Sequence, residues 1–322
     1  MKAWVIEKPG HLAQWDIPEP VPGPKEALVQ VTAISLCNGT DRKALDGTFI
    51  YCSGYPTVLG HEVVGRVIAL GPEVTRYKLG DVVIRPSVGE GLVPGLKSCF
   101  GGFVEKGIVK EESPPHQVIP IEMKPEDAVM IITLKETYSI VQQLGAGPGI
   151  SVVIAGTGPV GVCLSFWAKL MGAGPVIVIG RRDAACKRAE ALGRADMSLN
   201  NTKEAVPGKV KALLGDGADL AIEGIGHEDI IADLVEVLKP EGRCALYGVS
   251  PTIEAKSAYR GDPRVMTVGP RESEVHEEVF GLIRDGKVVP GDFISHVLSF
   301  DEVPLGYDLL ARRAAFKVAF LL

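Results

Sequence analysis

The chain has 322 residues, more than one ordinary hydrophobic core supports, and its 46% apolar content is that of a globular protein of two domains. A formal net charge of −6 with no long basic run excludes the electrostatic footprint of a nucleic-acid binder. Cysteines 37, 52, 99, 163, 186 and 244 form no paired framework, and the charged start MKAWVIEKPG has no apolar run behind it; a cytoplasmic protein with reduced thiols is expected.

In chain order, the first 143 residues are short apolar runs between Gly and Pro: MKAWVIE, EALVQVTAI, EVVGRVIAL, DVVIRP and GGFVEKGIV. Several alternate with period two, which predicts a mostly β region. From about residue 150 the texture changes. SVVIAG, PVIVIG, DLAIEG, GRCALYGV and RVMTVG predict buried strands, separated by VGVCLSFWAKLMG, DAACKRAEALGR, KEAVPGKVKALLG and EDIIADLVEVLKP at helical spacing. Alternating β and α predicts an α/β fold with a doubly wound parallel sheet. The tail returns to β texture in FISHVLSF and FKVAFLL around one helix, DEVPLGYDLLARR, and is expected to fold back onto the first domain. The nearly uncharged stretch 151–174 is broken by a Gly/Pro turn, so a strand, a turn and a buried helix account for it and no membrane span is expected.

Within that stretch, VVIAGTGPVG sets Gly156, Gly158 and Gly161 as G-x-G-x-x-G after an apolar strand and before a helix. That context suits a dinucleotide: the first Gly makes the turn, the second admits a pyrophosphate, and the third lets helix pack on strand. The next strand ends Gly180-Arg181-Arg182, with no acid in the place where one would bind the ribose 2′-hydroxyl of NAD; Asp183 comes late, at a helix cap. Two guanidiniums suit a 2′-phosphate, so NADP is favoured, with NAD possible.

TVLGHEVVG (57–65) places His61 and Glu62 in an apolar run, and LCNGTDRK places Cys37, Thr40 and Asp41 upstream. Thiolate and imidazole are suitable zinc ligands, but two such residues so far apart in sequence meet only if the fold brings them together.

Taken together, Cys37-x-x-Thr40-Asp41, Gly60-His61-Glu62, Gly65, Gly80-Asp81-Val82-Val83, Gly101-Gly102-Phe103-Val104-Glu105 and GTGPVG resemble the zinc-dependent medium-chain dehydrogenase/reductase family. The resemblance covers essentially the whole chain, FKVAFLL included. It implies a GroES-like catalytic domain of residues 1–143 and 285–322, a Rossmann domain of residues 144–284, and an active site in the cleft between them. It implies one catalytic zinc held by Cys37 and His61, with Glu62 as the third ligand or as a carboxylate close behind them, the fourth position left to water, substrate or Glu136, and Thr40 taking the alcohol proton. Cofactor contacts are expected at Gly156, Thr157, Gly158, Pro159, Val160, Gly161, Gly180, Arg181, Arg182, Ile225, Gly248 and Val249. A homodimer or homotetramer paired through the edges near GRCALYGV and RVMTVG is expected.

Four departures stand out. The loop after Cys37 carries one residue more than the common Cys-x-Ser/Thr-Asp. The family's third zinc ligand falls at Ile132 or Thr133, with Glu136 one helical turn on and able to reach if that segment is a helix. RPSVGEGLVPGLKSCFG holds only Cys99, so no structural zinc is expected. The His proton relay is replaced by Arg42 and Lys43, and His11, His116, His227, His276 and His296 read as surface or packing residues. The expected activity is hydride exchange between a nicotinamide and an alcohol, polyol or sugar. The alternatives are a zinc-free NADPH-dependent enone or quinone reductase, and a nucleotide-binding protein without turnover.

Overall fold

The apolar runs form two compact units in the computed structural model, Met1–Ile132 with His276–Leu322, and Thr133–Val275. Residues 1–89, 91–113, 117–248, 259 and 261–322 are described, without the side chain of Glu228; Val249 and His116 lie outside them.

The first unit is mostly β. One sheet runs β2 (His11–Asp16), β1 (Lys2–Lys8), β4 (Thr57–Val58), β7 (Lys97–Ser98). The other runs β15 (His296–Ser299), β16 (Val318–Leu321), β3 (Glu26–Ser35), β5 (Val63–Leu70), β6 (Val82–Ile84), and β8 (Lys106–Lys110) also pairs with β3. Along β3 burial alternates, Ala27, Val29, Val31 and Ala33 facing inward, as a half-buried strand requires. A register shift between Val31 and Ala33 then breaks the alternation, and Ala33, Ile34 and Ser35 are all buried. The strand thus becomes covered on both faces where it runs into Cys37. Ala33, Val64, Ile84, Ala128, Ile131, Ile132 and Phe280 pack in one core, each large side chain contributing roughly 1.5–3 kcal/mol. The helices α1 (Thr40–Leu45) and α2 (Pro125–Ala128) belong to this unit, and α3 (Met130–Leu144) carries the chain onward.

The second unit has a parallel sheet ordered β11 (Met197–Asn200), β10 (Val176–Gly180), β9 (Val152–Ala155), β12 (Ala218–Glu223), β13 (Leu238–Leu246), β14 (Val265–Thr267). The reversal between β9 and β12 makes it doubly wound, with ligands expected at the strands' carboxyl ends. Every residue of β9 and β10 is buried, as strands covered on both faces must be. The helices α4 (Pro159–Leu170), α5 (Asp183–Ala191), α6 (Val206–Leu214) and α7 (Glu228–Glu236) connect them.

Two elements depart from the sequence reading. MSLN forms an edge strand too short and polar to announce itself. The helix expected through EDIIADLVEVLKP ends at Glu236, and LKP instead begins β13, where sheet pairing of Leu238 with Ala218 outweighs helical spacing. The apolar stretch 151–174 is β9, a turn and the 12-residue α4, and among the described residues no helix is long and apolar enough to cross a membrane.

Candidate functional site

Three neighbouring strands of the first unit gather the chemistry. β16 pairs with β3 through Ala319 and Ser35, and β3 pairs with β5 through Ile34 and Val63, both antiparallel. The end of β3 and the starts of β5 and β16 therefore lie together. Leu36 N–H donates to Val318 O at 3.0 Å and Ser35 N–H to Glu62 O at 2.8 Å, fixing that alignment. Cys37, His61, Glu62 and Lys317 all come to this end of the sheet.

Local chemistry sets each donor. Cys37 N–H donates to Asp41 Oδ2 at 2.9 Å, and Thr40 N–H reaches Cys37 Sγ at 3.4 Å. The turn is thus wrapped around the sulfur by the two residues that begin α1. Asn38 Nδ2 donates to Phe316 O at 2.9 Å, which ties the lengthened loop to the C-terminal segment. Before His61 the chain turns at Gly60 with φ +99°, where a Cβ would lie 2.3 Å from the Phe103 ring; only glycine fits.

Donor atoms of Cys37, His61 and Glu62 lie within 4.8 Å of one another. Ligands around a tetrahedral zinc stand roughly 3.5 Å apart, so about an ångström of adjustment completes the set. The buried His61 Nδ1 and Asp41 Oδ1 have no hydrogen-bond partner and stand 4.0 Å apart. Orphaned buried polar atoms beside a soft thiol and a carboxylate fit a divalent ion of the zinc type. The residues that could hold it are Cys37, His61 and Glu62.

The electrostatics agree with a site built for positive charge. Burial pulls the His61 imidazole down, yet the Cys37 sulfur, Asp41 and Glu62 overrule it and push it up to about 10. Burial likewise raises Asp41 to about 6 against the pull of His61. Glu62 is buried, but the Lys317 ammonium, His61 and a 2.5 Å hydrogen bond from Ser35 Oγ hold it below the usual carboxylate range. The Lys317 ammonium also binds Glu62 Oε2, and both side chains are almost wholly buried. Two donors on one oxygen fix the orientation of the Glu62 carboxylate.

Ile132 packs in the apolar core, and Thr133 is buried with its carbonyl accepting from Thr137 Oγ1 at 2.7 Å. Glu136 lies on α3 in the second unit, where its Oε2 accepts from the Tyr247 hydroxyl at 3.3 Å. Arg42 is exposed beside Asp46 at 3.7 Å. His227 stands 3.7 Å from Asp229, His296 bonds Ser295 Oγ at 2.9 Å, and His276 packs edge-on to Phe280.

In the second unit the glycine-rich turn follows β9. Gly156 has φ +126°, and a Cβ on Gly161 would lie 2.0 Å from Gly156 O, so helix and turn touch backbone to backbone. Gly158 precedes α4 and opens onto free space, as a pyrophosphate at the helix N-terminus requires; Pro159 takes the first helical turn, with Val160 after it. Thr157 packs under Gly180, whose Cβ would meet its Cγ2 at 2.5 Å. Arg181 and Arg182 follow, both exposed. Asp183 is already engaged by Asn200 Nδ2 at 2.6 Å and Lys203 Nζ at 2.5 Å, which hold it below its ordinary range. Across the switch point Ile225 is 42% exposed and approaches Gly156. The buried Glu223 carboxylate accepts from Ile225 and Gly226 N–H at 2.6 Å each, shaping that loop, and Gly248 sits where a Cβ would strike Gly226 N.

Sequence reasoning misses Ser35 and Lys317 and takes Asp41 only as part of a motif. The one signal for Lys317 is a single charge inside the apolar run FKVAFLL. Its partner, 255 residues away, has no local sign.

A β unit with a thiol–imidazole–carboxylate cluster, joined in one chain to a doubly wound unit with a phosphate turn, defines a two-domain nicotinamide dehydrogenase of the zinc type. Residues 23–122 match the alcohol dehydrogenase GroES-like domain and residues 159–275 the zinc-binding dehydrogenase domain. The chain is 30% identical to L-threonine 3-dehydrogenase of Pyrococcus horikoshii, over 100% of this chain and 99% of that one. Alcohol dehydrogenase TADH of Thermus sp. ATN1 superposes with a TM-score of 0.84 at 26% identity, covering 100% of this chain and 99% of the other. A Sinorhizobium meliloti 1021 structure with NADP bound superposes with a TM-score of 0.80 at 27% identity, covering 100% and 99%. The chain belongs to the zinc-dependent medium-chain dehydrogenase/reductase family and is an oxidoreductase of its alcohol dehydrogenase class.

Proposed function

We propose that the protein is an NADP-dependent alcohol dehydrogenase with one zinc per chain, held by Cys37, His61 and Glu62. The observation that carries the reading is the convergence of their donor atoms within 4.8 Å of one another. When bound, zinc supplies Lewis acidity that makes an alcohol hydroxyl easier to deprotonate, and the nicotinamide supplies the hydride acceptor. The chain's own residues do the rest. Asp41 orients the Cys37 turn through its backbone and stands 4.0 Å from His61 Nδ1. Lys317 and Ser35 fix Glu62 and keep it ionised. Thr40, buried beside the sulfur, takes the alcohol proton and passes it toward solvent.

Arg181 and Arg182 select NADP by pairing with the 2′-phosphate, and the commitment of Asp183 to Lys203 and Asn200 removes the nearest carboxylate that would suit NAD. The NADP-bound relative supports the same choice. A homodimer or homotetramer joined along β14, where Met266 is exposed, belongs to this reading.

Elemental analysis of freshly purified protein, with NADP-coupled oxidation of an alcohol panel, tests it. About one zinc per chain and activity abolished by a strong chelator are expected. Less than about a tenth of a metal per chain, or carbonyl reduction indifferent to chelation, overturns the zinc reading in favour of a metal-free reductase.

A further inference from the structure

We propose that the substrate is an alcohol carrying an aromatic ring, held against a wall made by Phe49, Tyr51 and Phe100 beside His61. The inference rests on the alcohol dehydrogenase reading and narrows its substrate from alcohols, polyols and sugars to aryl alcohols.

The Phe100 ring lies 4.8 Å from the His61 ring and 6.2 Å from Phe49, which in turn meets Tyr51 edge-on at 5.6 Å. These three aromatic side chains therefore run without a break up to a proposed zinc ligand. Single exposed apolar residues are ordinary on a protein surface, but a contiguous set beside a reactive centre is not. Phe100 is 47% exposed, Tyr51 67% and the neighbouring Ile50 42%, while Phe49 is buried and anchors them.

The backbone holds Phe100 there at a cost. Its φ is +74°, a left-handed conformation that bulky residues rarely adopt. The segment is pinned on both sides. Cys99 and Gly101 N–H donate to Val58 O at 2.9 and 3.2 Å, and Gly102 and Phe103 N–H donate to Leu59 O at 2.7 and 2.9 Å. The strand edge that leads into His61 thus sets the position of Phe100. Strain kept at one exposed aromatic residue beside a reactive centre points to a contact made by its side chain.

The chemistry follows from the wall. An aryl ring stacks offset or edge-on against Phe100 and Phe49 and brings its carbinol carbon beside His61. A polyol laid on the same wall leaves hydroxyls without partners once water is displaced, so it is rejected. In the reaction the carbinol carbon loses a hydride to oxidised nicotinamide and the hydroxyl loses a proton to Thr40. The products are the aryl aldehyde or ketone, reduced nicotinamide and one released proton.

The test uses the zinc-loaded enzyme with benzyl alcohol, 2-propanol and sorbitol, in the parent and in Phe100→Gly. Glycine removes the ring and suits φ +74°, so that variant folds at least as well as the parent. Benzyl alcohol is expected to exceed sorbitol in kcat/KM by about 100-fold or more. In Phe100→Gly the ratio of kcat/KM for benzyl alcohol to that for 2-propanol falls about tenfold, chiefly through KM. Saturation-transfer NMR of benzyl alcohol on the enzyme–NADPH complex, which cannot turn over, is expected to label the ring protons strongly in the parent and clearly more weakly in the variant. Turnover of sorbitol with no ring contact overturns the aryl assignment while leaving the dehydrogenase reading intact. Ring contact in the NADPH complex without oxidation of any alcohol sinks the dehydrogenase reading and leaves the aromatic wall as a binding site. A variant with the parent's substrate ratio removes Phe100 from the proposal.

Discussion

The two units assemble their sites in opposite ways. In the second unit the phosphate turn and the two arginines lie between residues 156 and 182, each following directly on a strand that is buried along its whole length. In the first unit the donors sit just outside three strands, at 37, 61–62 and 317, and only the pairing of β16 with β3 and of β3 with β5 brings them together. The turn and arginines proposed to take the dinucleotide are thus a local structure that a tertiary sheet supports, and the proposed metal site is a tertiary structure with little local basis. A second contrast is electrostatic. The arginines face solvent, whereas Glu62 and Lys317 are an ion pair taken almost completely out of water. The buried charges are a structural commitment, because either partner left alone would be an unpaired charge in the core.

This contrast can be broken by experiment, beginning where the effect is largest. Cys37→Ser or His61→Ala should lower kcat by about 10³-fold or more while leaving the NADPH dissociation constant within about twofold, since only the first unit is touched. A parallel loss of NADPH binding, read by fluorescence titration, would show that the two sites are not separable. Lys317→Met should destabilise the fold by about 3 kcal/mol or more in urea unfolding, because Glu62 is then buried without its counter-charge. A change below about 1 kcal/mol would mean that the pair is solvated and holds nothing in place. Replacing Arg181 and Arg182 together by Ser should cut the preference for NADP over NAD by about 100-fold. An unchanged ratio of kcat/KM for the two cofactors would end the phosphate assignment.

The smallest effect concerns the base of the second unit. Asp219 accepts from Ser151 N–H at 2.9 Å, Ser151 Oγ at 2.7 Å and Lys239 Nζ at 2.7 Å. Burial raises its pKa, but the bonds from Lys239 and Ser151 outweigh that and leave it lowered from 3.8. A depressed folded-state value means that its stabilisation is complete above the ordinary carboxylate range and is lost as pH falls through the folded value. Asp219→Asn should therefore cost about 1 kcal/mol near neutral pH, with the gap to the parent closing below pH 3.8 in thermal melts. A gap that stays constant down to pH 2 would rule out ionisation as its source.

The same contrast governs what is legible in the amino-acid sequence. GTGPVG and the apolar strands can be read because each acts through neighbours in sequence, a turn that needs glycine and a strand buried on both faces; the proposed role of Arg181 and Arg182 rests likewise on a charge placed after a strand end. Cys37, His61 and Glu62 stand out as candidates only because several motifs fall in a familiar order, and their spacing alone carries little. The end of α7 escapes because LKP has helical spacing, yet Leu238 finds its partner in Ala218 across the sheet. Phe49 and Tyr51 are visible as aromatic residues between two motifs, but nothing in the sequence says that they join Phe100 in one wall.

By itself, then, the sequence determined the α/β class, the glycine-rich strand-to-helix turn and the residue types available for a metal, since backbone propensity and hydrophobic period act over a few residues. The tertiary structure alone decided that Lys317 neutralises Glu62, that Asp41 orders the Cys37 turn and faces His61, and that Phe100 is held over the imidazole. Those outcomes depend on strand register and on exclusion of water, and both are properties of chain segments that meet only after the sheet has formed.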